Sequence, residues 1–551
     1  MAFGAGLLLA SLTSSDFWAS FFQHPLRSAP GAPIPPETRD GIRLLMVMLP
    51  VAGASWLATG ALLGRIRGLG IGRPTVADNT SPLRGRALMV LCIIGIAFIV
   101  RAPLMDQSLW YDEIVAFWYY GQYGPGPIIG NMFTPANHQL QSLSSWAAVS
   151  FAGDSLDEWV IRFPALVVGL LAGWPLYCIG RRFFGPSGGV IAMMILLFMP
   201  IAIAEGTEAR GYAFMLLFAG ASSATLLAAL DDRRVELLPF YALLCTLGIW
   251  SHLVTVVVPI GHALVLVGLV ACSRTHRQIA LAALGGIALA AITTLMLLAP
   301  VLPDLIAGQQ GLAATTSDQP TLLGKEGRSM LLGLGGVWPM GRFGLASALP
   351  GLIFMVTGVW VTLREPRTRL MILVAGLPIV TGILLVAVLG TWVYARFFVF
   401  GLPFIALAIT ASSLSCGRSR VLKQLPATLL CFAWTLALLN LWDIPRQPIR
   451  ELVEQVPDDG TLVASTGIPD MPIVIGWYLE DAANRVIDAG PHVDDADLRL
   501  ERSDVGWLIH AYPSRNERWT DDGEDHLESV MIQGWIDHMD GALLLEKAKR
   551  P

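Results

Sequence analysis

Residues 278–300 read QIALAALGGIALAAITTLMLLAP, with Arg274 and Arg277 just ahead of them and no charge inside. An unbroken apolar run of this length matches the roughly 18–25 residues that a helix needs to cross ~30 Å of hydrocarbon. It is apolar on every side, so it is not the one-faced helix of a soluble bundle. The same pattern recurs at 42–64, 85–103, 164–180, 187–204, 211–230, 237–251, 253–272, 344–363, 370–390, 397–415 and 426–442. Residues 1–22 are apolar too, but they lack a basic leader and carry Asp16, which leaves them as one further candidate span. The expectation is an all-α polytopic transmembrane chain of about 12–13 spans.

Composition agrees. Of 551 residues, 54% are hydrophobic and only 14% charged, against about 25% in soluble domains. The net charge of −5 offers no basic face for nucleic acid. The six cysteines lie in or beside apolar runs and show neither a disulfide framework nor zinc spacing.

The arginines set the orientation. They cluster at Arg65–Arg86, Arg181–Arg182, Arg233–Arg234, Arg274–Arg277, Arg364–Arg369 and Arg418–Lys423. When the spans alternate, all six clusters fall on one side, which the positive-inside rule makes the cytoplasm. The loops 104–163, 205–210, 301–343 and 391–396 then face outward, as does everything after 442. Residues 1–84 form an N-terminal membrane segment with a cytoplasmic loop, and 85–442 the main transmembrane region. Residues 443–551 are polar and acid-rich. Short apolar runs at 461–465, 485–488, 505–511 and 542–546 alternate there with helix-like stretches at 449–456, 472–481 and 524–536. That alternation suggests a small α/β extracytoplasmic domain, and no nucleotide-binding glycine motif appears in it.

The outward loops hold few arginines, and those present stand beside acids and aromatics. Loop 104–163 contains Trp110-Tyr111-Asp112-Glu113, followed by Asn137-His138. Two adjacent carboxylates raise one another's pKa and make a candidate general base, although an interfacial aromatic belt with incidental acids fits the residues equally well. Asp154, Asp157 and Glu158, ahead of Arg162, read as charges at a helix start. The turn Glu205-Gly206-Thr207-Glu208-Ala209-Arg210-Gly211-Tyr212 and the later Tyr394-Ala395-Arg396-Phe397 each place one arginine at a membrane boundary. A guanidinium suits a phosphate through bidentate bonds; the alternative is snorkelling from a helix end.

In order and on one side, Trp110–Glu113, Glu208–Tyr212, Gly248-Ile249-Trp250-Ser251-His252 and Ala395-Arg396-Phe397 up to Pro403 resemble the GT-C superfamily of membrane glycosyltransferases. The resemblance is greatest to the protein O-mannosyltransferase-like and aminoarabinose-transferase-like branch, and it covers most of 85–442. Relatives often show His-Pro-Pro-Leu-Tyr-Tyr after the acidic pair, where this chain has Asn137-His138-Gln139-Leu140-Gln141-Ser142.

The resemblance implies an inverting transfer of a sugar from a polyprenyl-phosphate carrier to a lipid, glycan or protein acceptor on the outer face of the plasma membrane. It makes Asp112 the general base and Glu113 its neighbour. Arg210 and Arg396 become the phosphate clamp, with Glu208 pairing Arg210. Tyr212 and Tyr394 border the carrier, and Asn137, His138 and His252 complete the substrate-binding set. No metal and no cofactor is expected. An O-antigen ligase or polymerase-type enzyme would share the arginines without needing the acids. A transporter would carry charge at mid-bilayer, and a non-catalytic scaffold would not need Asp112.

Overall fold

The computed structural model describes residues 1–29, 32–67, 83–313, 344–389, 395–416, 419–442 and 446–456. In the tail it describes 463–466, 470–479, 486–488, 507–511, 529–533 and 542–547.

All twelve expected segments fall on helices, from Pro36–Arg67 and Leu83–Met105 through to Arg420–Trp442. Among the described residues, eight helices are long and apolar enough to cross a membrane, with shorter apolar helices at Val235–Ser251 and Ala348–Arg364. One of the eight, Glu158–Phe198, runs 41 residues. At 1.5 Å per residue that is about 60 Å, twice the hydrocarbon thickness. It is divided at Gly185, whose φ of 81° lies where side chains are disfavoured, and Pro186 follows. The break falls next to the arginine pair 181–182, so the stretch provides two crossings, as the sequence expects.

The first 22 residues do not make a crossing of their own. They form Ala2–Ala10 and Ser15–Phe22, nine and eight residues long, interrupted where Ser14 Oγ accepts from Phe17 N at 3.1 Å. A nine-residue helix is about 13 Å long. Both pack on the Pro36–Arg67 helix, Phe22 joining Ile42, Leu45 and Leu49 in a small buried cluster.

Lipid tails are as apolar as leucine, so hydrophobicity alone does not bring membrane helices together; close packing of small side chains does. Helix Leu402–Ser415 has this character. Its Ala406, Ala408, Ala411, Ser412 and Ser413 are buried against helices Gly173–Phe198 and Gly344–Arg364. At one end of the bundle the basic loops meet. Arg182 bonds Asp231 at 2.8 Å and Asp232 at 2.7 Å, and Arg367 donates to the Arg182 carbonyl at 3.2 Å.

In the tail, five strands are described: β1 Val463–Thr466, β2 Val486–Asp488, β3 Trp507–Ala511, β4 Ser529–Gln533 and β5 Ala542–Lys547. They pair in the order β2-β1-β3-β5-β4, with β1 parallel to β2 and β3, and β5 antiparallel to β3 and β4. The helix-like reading of 524–536 is corrected here, since β4 lies within it. Strand pairing with β5 overrides the helix-forming residues that precede it. Helices Ile449–Val453 and Met471–Gly476 lie where helices are expected. They do not stand apart from the membrane region: Leu452, Val453, Val474 and Ile475 share a buried cluster with Ile114, Phe117, Ile161 and Ala209.

Candidate active site

The site begins where the chain turns at Trp110. Its extended backbone ends the segment from helix Leu83–Met105, and helix Tyr111–Ala116 starts immediately after. Glu113 stands at the third helical position and accepts from Trp110 N at 3.3 Å, half of a capping box. Successive residues on a helix point about 100° apart. Asp112 and Glu113 therefore meet different partners, although they are neighbours in sequence.

Glu113 is buried. Arg162 holds both of its oxygens, Nε to Oε1 at 2.9 Å and Nη2 to Oε2 at 2.5 Å, and Ala209 N donates to Oε1 at 2.6 Å. The rest of the Arg162 fork donates to the carbonyls of Leu104, Gln107 and Ser108. In the sequence Arg162 reads as the residue after an acidic helix start; in the structure it ties together the first part of loop 104–163.

Asp112 is different. Its side chain is 21% exposed, and its Oδ2 lies 3.2 Å from Arg210 Nη2 and 3.6 Å from Arg396 Nη2. Arg210 is fixed from behind by bonds from Nη1 to the carbonyls of Asp112 and Ala136, both at 3.3 Å. Two guanidinium groups from distant parts of the chain thus converge on one carboxylate oxygen.

Beneath them lies the indole of Trp110, 2% exposed. Arg210 sits 5.9 Å from its ring centre, Arg396 5.1 Å and Arg446 3.9 Å, all within cation–π range. Arg446 comes from the tail and was not among the expected site residues. It bonds Glu208 closely and stands 3.7 Å from Glu205. The expected Glu208–Arg210 pair is therefore corrected: Glu208 belongs to Arg446, and Arg210 to Asp112. Two residues in an irregular turn need not share a face, and Arg446 takes up the space beside Glu208. Nothing in the sequence singles out Arg446, since it is one of eight arginines after residue 442. Burial, together with nearby Glu205 and Glu113, pushes the Glu208 carboxyl up to about 8 in spite of Arg446.

The remaining expected residues divide into two sets. Asn137 supports the loop: its Nδ2 donates to the Ile128 and Asn131 carbonyls at 2.8 and 2.9 Å, and its Oδ1 accepts from Ser142 at 3.0 Å. His138, Tyr212 and His252 form an aromatic group beside the arginines. His138 stacks on His252 with ring centres 4.6 Å apart, Tyr212 lies 4.9 Å from His252, and Phe397 packs edge-on at 5.7 Å. Gly211 makes this approach feasible, because a Cβ there would sit 2.2 Å from the Ser251 carbonyl oxygen. Burial and the charges of Arg210 and Arg396 hold His138 well below the usual histidine range, so the ring is neutral. Tyr394 lies outside the described residues.

Residues 145–302 match the family described as dolichyl-phosphate-mannose-protein mannosyltransferase. No curated protein matches the sequence. Among solved structures, the chain is similar to ArnT from Cupriavidus metallidurans, in the apo state and bound to undecaprenyl phosphate. Both show 14% identity and a TM-score of 0.48 over 83% of this chain and 97% of that one. It is similar also to the archaeal oligosaccharyltransferase AglB from Archaeoglobus fulgidus, solved with an inhibitory peptide and a dolichol-phosphate. There the identity is 12% and the TM-score 0.48, over 77% of this chain and 69% of that one. The matched segment 145–302 includes Arg162, Glu208, Arg210, Tyr212 and His252.

Proposed function

We propose that this chain moves a sugar from a polyprenyl-phosphate carrier to an acceptor, with inversion at the anomeric carbon, on the extracytoplasmic face of the plasma membrane. The observation that carries the reading is the convergence of Arg210 and Arg396 on Asp112 Oδ2. Two forked cations at a membrane boundary suit the phosphate of a lipid whose tail stays in the bilayer. Without that phosphate, Asp112 supplies their countercharge. When the phosphate arrives it takes over those bonds, which leaves the Asp112 carboxylate to the acceptor.

The transfer then follows. Asp112 takes the proton from the acceptor hydroxyl or amine, whose heavy atom attacks the anomeric carbon opposite the phosphate. The bond from that carbon to the phosphate oxygen breaks, and the carrier leaves as polyprenyl phosphate. Its added negative charge falls on the two arginines, which are already in place. Glu113, committed to Arg162, acts here as the anchor of the loop rather than as a proton carrier. The face is assigned from the basic loops at the far end of the bundle.

The test is Asp112→Asn, which keeps size and hydrogen bonding but accepts no proton at neutral pH. Transfer of radiolabelled sugar from a polyprenyl-phosphate donor, by membranes that contain the chain, should fall by about 10²-fold or more. Unchanged transfer would refute Asp112 as the base.

A further inference from the structure

The site contains polar atoms that the protein itself leaves without partners. Trp110 Nε1, Arg210 Nε, the Tyr212 hydroxyl and His138 Nε2 are all buried, and none has a hydrogen-bond partner among the described residues. Each such atom costs stability unless something else answers it. The indole and guanidinium nitrogens are donors only, so phosphate oxygens satisfy them. His138 needs another kind of group.

Its ring is neutral beside two arginines, so one nitrogen carries the proton and the other a lone pair. The ring's hydrogen bond goes to the Ser251 carbonyl. His138 Nδ1 and the Ser251 oxygen both border the space that a Cβ on Gly211 would fill, at 3.0 and 2.2 Å. With Nε2 unpartnered, the proton belongs on Nδ1 and the lone pair on Nε2. An ionised phosphate ester has no hydrogen to offer that lone pair, and the arginines around it point to a ligand that is partly anionic. A polyprenyl-phosphate sugar has both halves: phosphate oxygens for the donors, and hydroxyls on the sugar next to the phosphate.

We propose that His138 Nε2 accepts a hydrogen bond from one hydroxyl of the transferred sugar, which makes His138 a specificity-determining residue for a hydroxylated sugar at that position. The proposal rests on the phosphate reading of Arg210 and Arg396. A site built around an acceptor rejects a ligand that lacks the matching donor more sharply than an apolar pocket does.

The experiment measures binding to the full chain in lipid nanodiscs. The probes are undecaprenyl phosphate and its mannose, glucose and galactose conjugates, followed by single-deoxy analogues of the best conjugate. The wild type should prefer at least one conjugate over the bare carrier, and one deoxy analogue should lose about tenfold in affinity. His138→Phe should erase the difference between that conjugate and its deoxy analogue, and His138→Gln, whose amide oxygen is an acceptor, should keep part of it. If no single deoxy position matters to the wild type, the proposal fails, even if His138→Phe does not fold. It fails also if His138→Phe retains the wild-type discrimination, or weakens bare carrier and conjugate equally. A wild type that does not bind the bare carrier at all refutes the phosphate reading itself, before any variant is made.

Discussion

Arg162 grips both carboxylate oxygens of Glu113, Nε to Oε1 at 2.9 Å and Nη2 to Oε2 at 2.5 Å, in a pair with side chains only 5% and 0% exposed. The next residue back, Asp112, has no such commitment and faces two arginines across a partly open space. Adjacent acids thus do different work: one holds the loop and the other faces the site.

Glu113→Gln is therefore expected to damage the fold before it damages chemistry. The amide keeps the shape but leaves the Arg162 charge buried and uncompensated. Breaking a buried pair this way costs about 3–5 kcal/mol. Thermal unfolding of the purified variant should show a clear drop in midpoint, larger than that of Asp112→Asn, whose carboxylate is 21% exposed rather than fully buried. From sequence alone Glu113 reads as a tuner of its neighbour, for which Glu113→Gln would be the gentler change. Equal midpoints for the two variants would return Glu113 to that role.

Carrier binding should respond to Arg396. Arg396→Ala removes a charge-assisted partner of the phosphate and should weaken undecaprenyl phosphate binding by about 1.5–3 kcal/mol. Arg396→Lys keeps the charge without the fork and should recover only part. Asp112→Asn should bind the bare carrier at least as well as the wild type, since it frees Arg210 and Arg396 from their internal countercharge. Titration of each variant in nanodiscs decides; equal affinities for Arg396→Ala and wild type would make Arg396 a snorkelling residue.

Stability should fall as pH rises. The folded state holds a proton at Glu208 up to about 8, whereas the unfolded chain releases it in the ordinary carboxylate range. Between those values the folded form binds more protons, so unfolding becomes easier with increasing pH. The unfolding midpoint is expected to decline between about pH 4.5 and pH 8 and to level off above that, and Glu208→Gln should flatten the decline by removing the titrating group. A wild-type midpoint that rises over this range contradicts the sign.

Topology can be read with single cysteines on a cysteine-free background. Gln122→Cys and Glu454→Cys, both at exposed positions, should react with an impermeant maleimide in intact cells. Thr275→Cys, in a loop with basic residues, should react only after lysis. The opposite pattern would put the site on the wrong side for a carrier sugar delivered outside.

Much of this was legible in the sequence because membranes impose simple rules. Apolar runs of fixed length marked the helices that can cross a membrane, and the arginine clusters carry the expectation of sidedness. Asp112, Arg210 and Arg396 stood out as ionisable groups at boundaries where such groups are rare, and the structure brings all three together. The pairings were not legible. That Glu113 belongs to Arg162, and Glu208 to Arg446 rather than to Arg210, depends on how separate loops stack, and no local pattern encodes it. The reading of 524–536 as helix failed for a similar reason: the pairing of Ser529–Gln533 with Ala542–Lys547 is a non-local choice.

The contacts between the first outward loop and the segment after the last helix also bear on how the protein is made. Gln447 Oε1 accepts from Tyr111 N at 2.9 Å, Arg450 N donates to Ser108 Oγ at 3.1 Å, and Arg446 lies against Trp110. The first of these pairs is separated by 336 residues. At about 5–20 residues per second, a ribosome needs roughly 20–70 s to travel from one partner to the other. Throughout that interval the nascent chain already has Asp112, and later Arg210, in the membrane, but Trp110 has no Arg446 to complete it. A half-made copy therefore lacks the Trp110–Arg446 and Tyr111–Gln447 contacts, which form only after the final helix has been inserted.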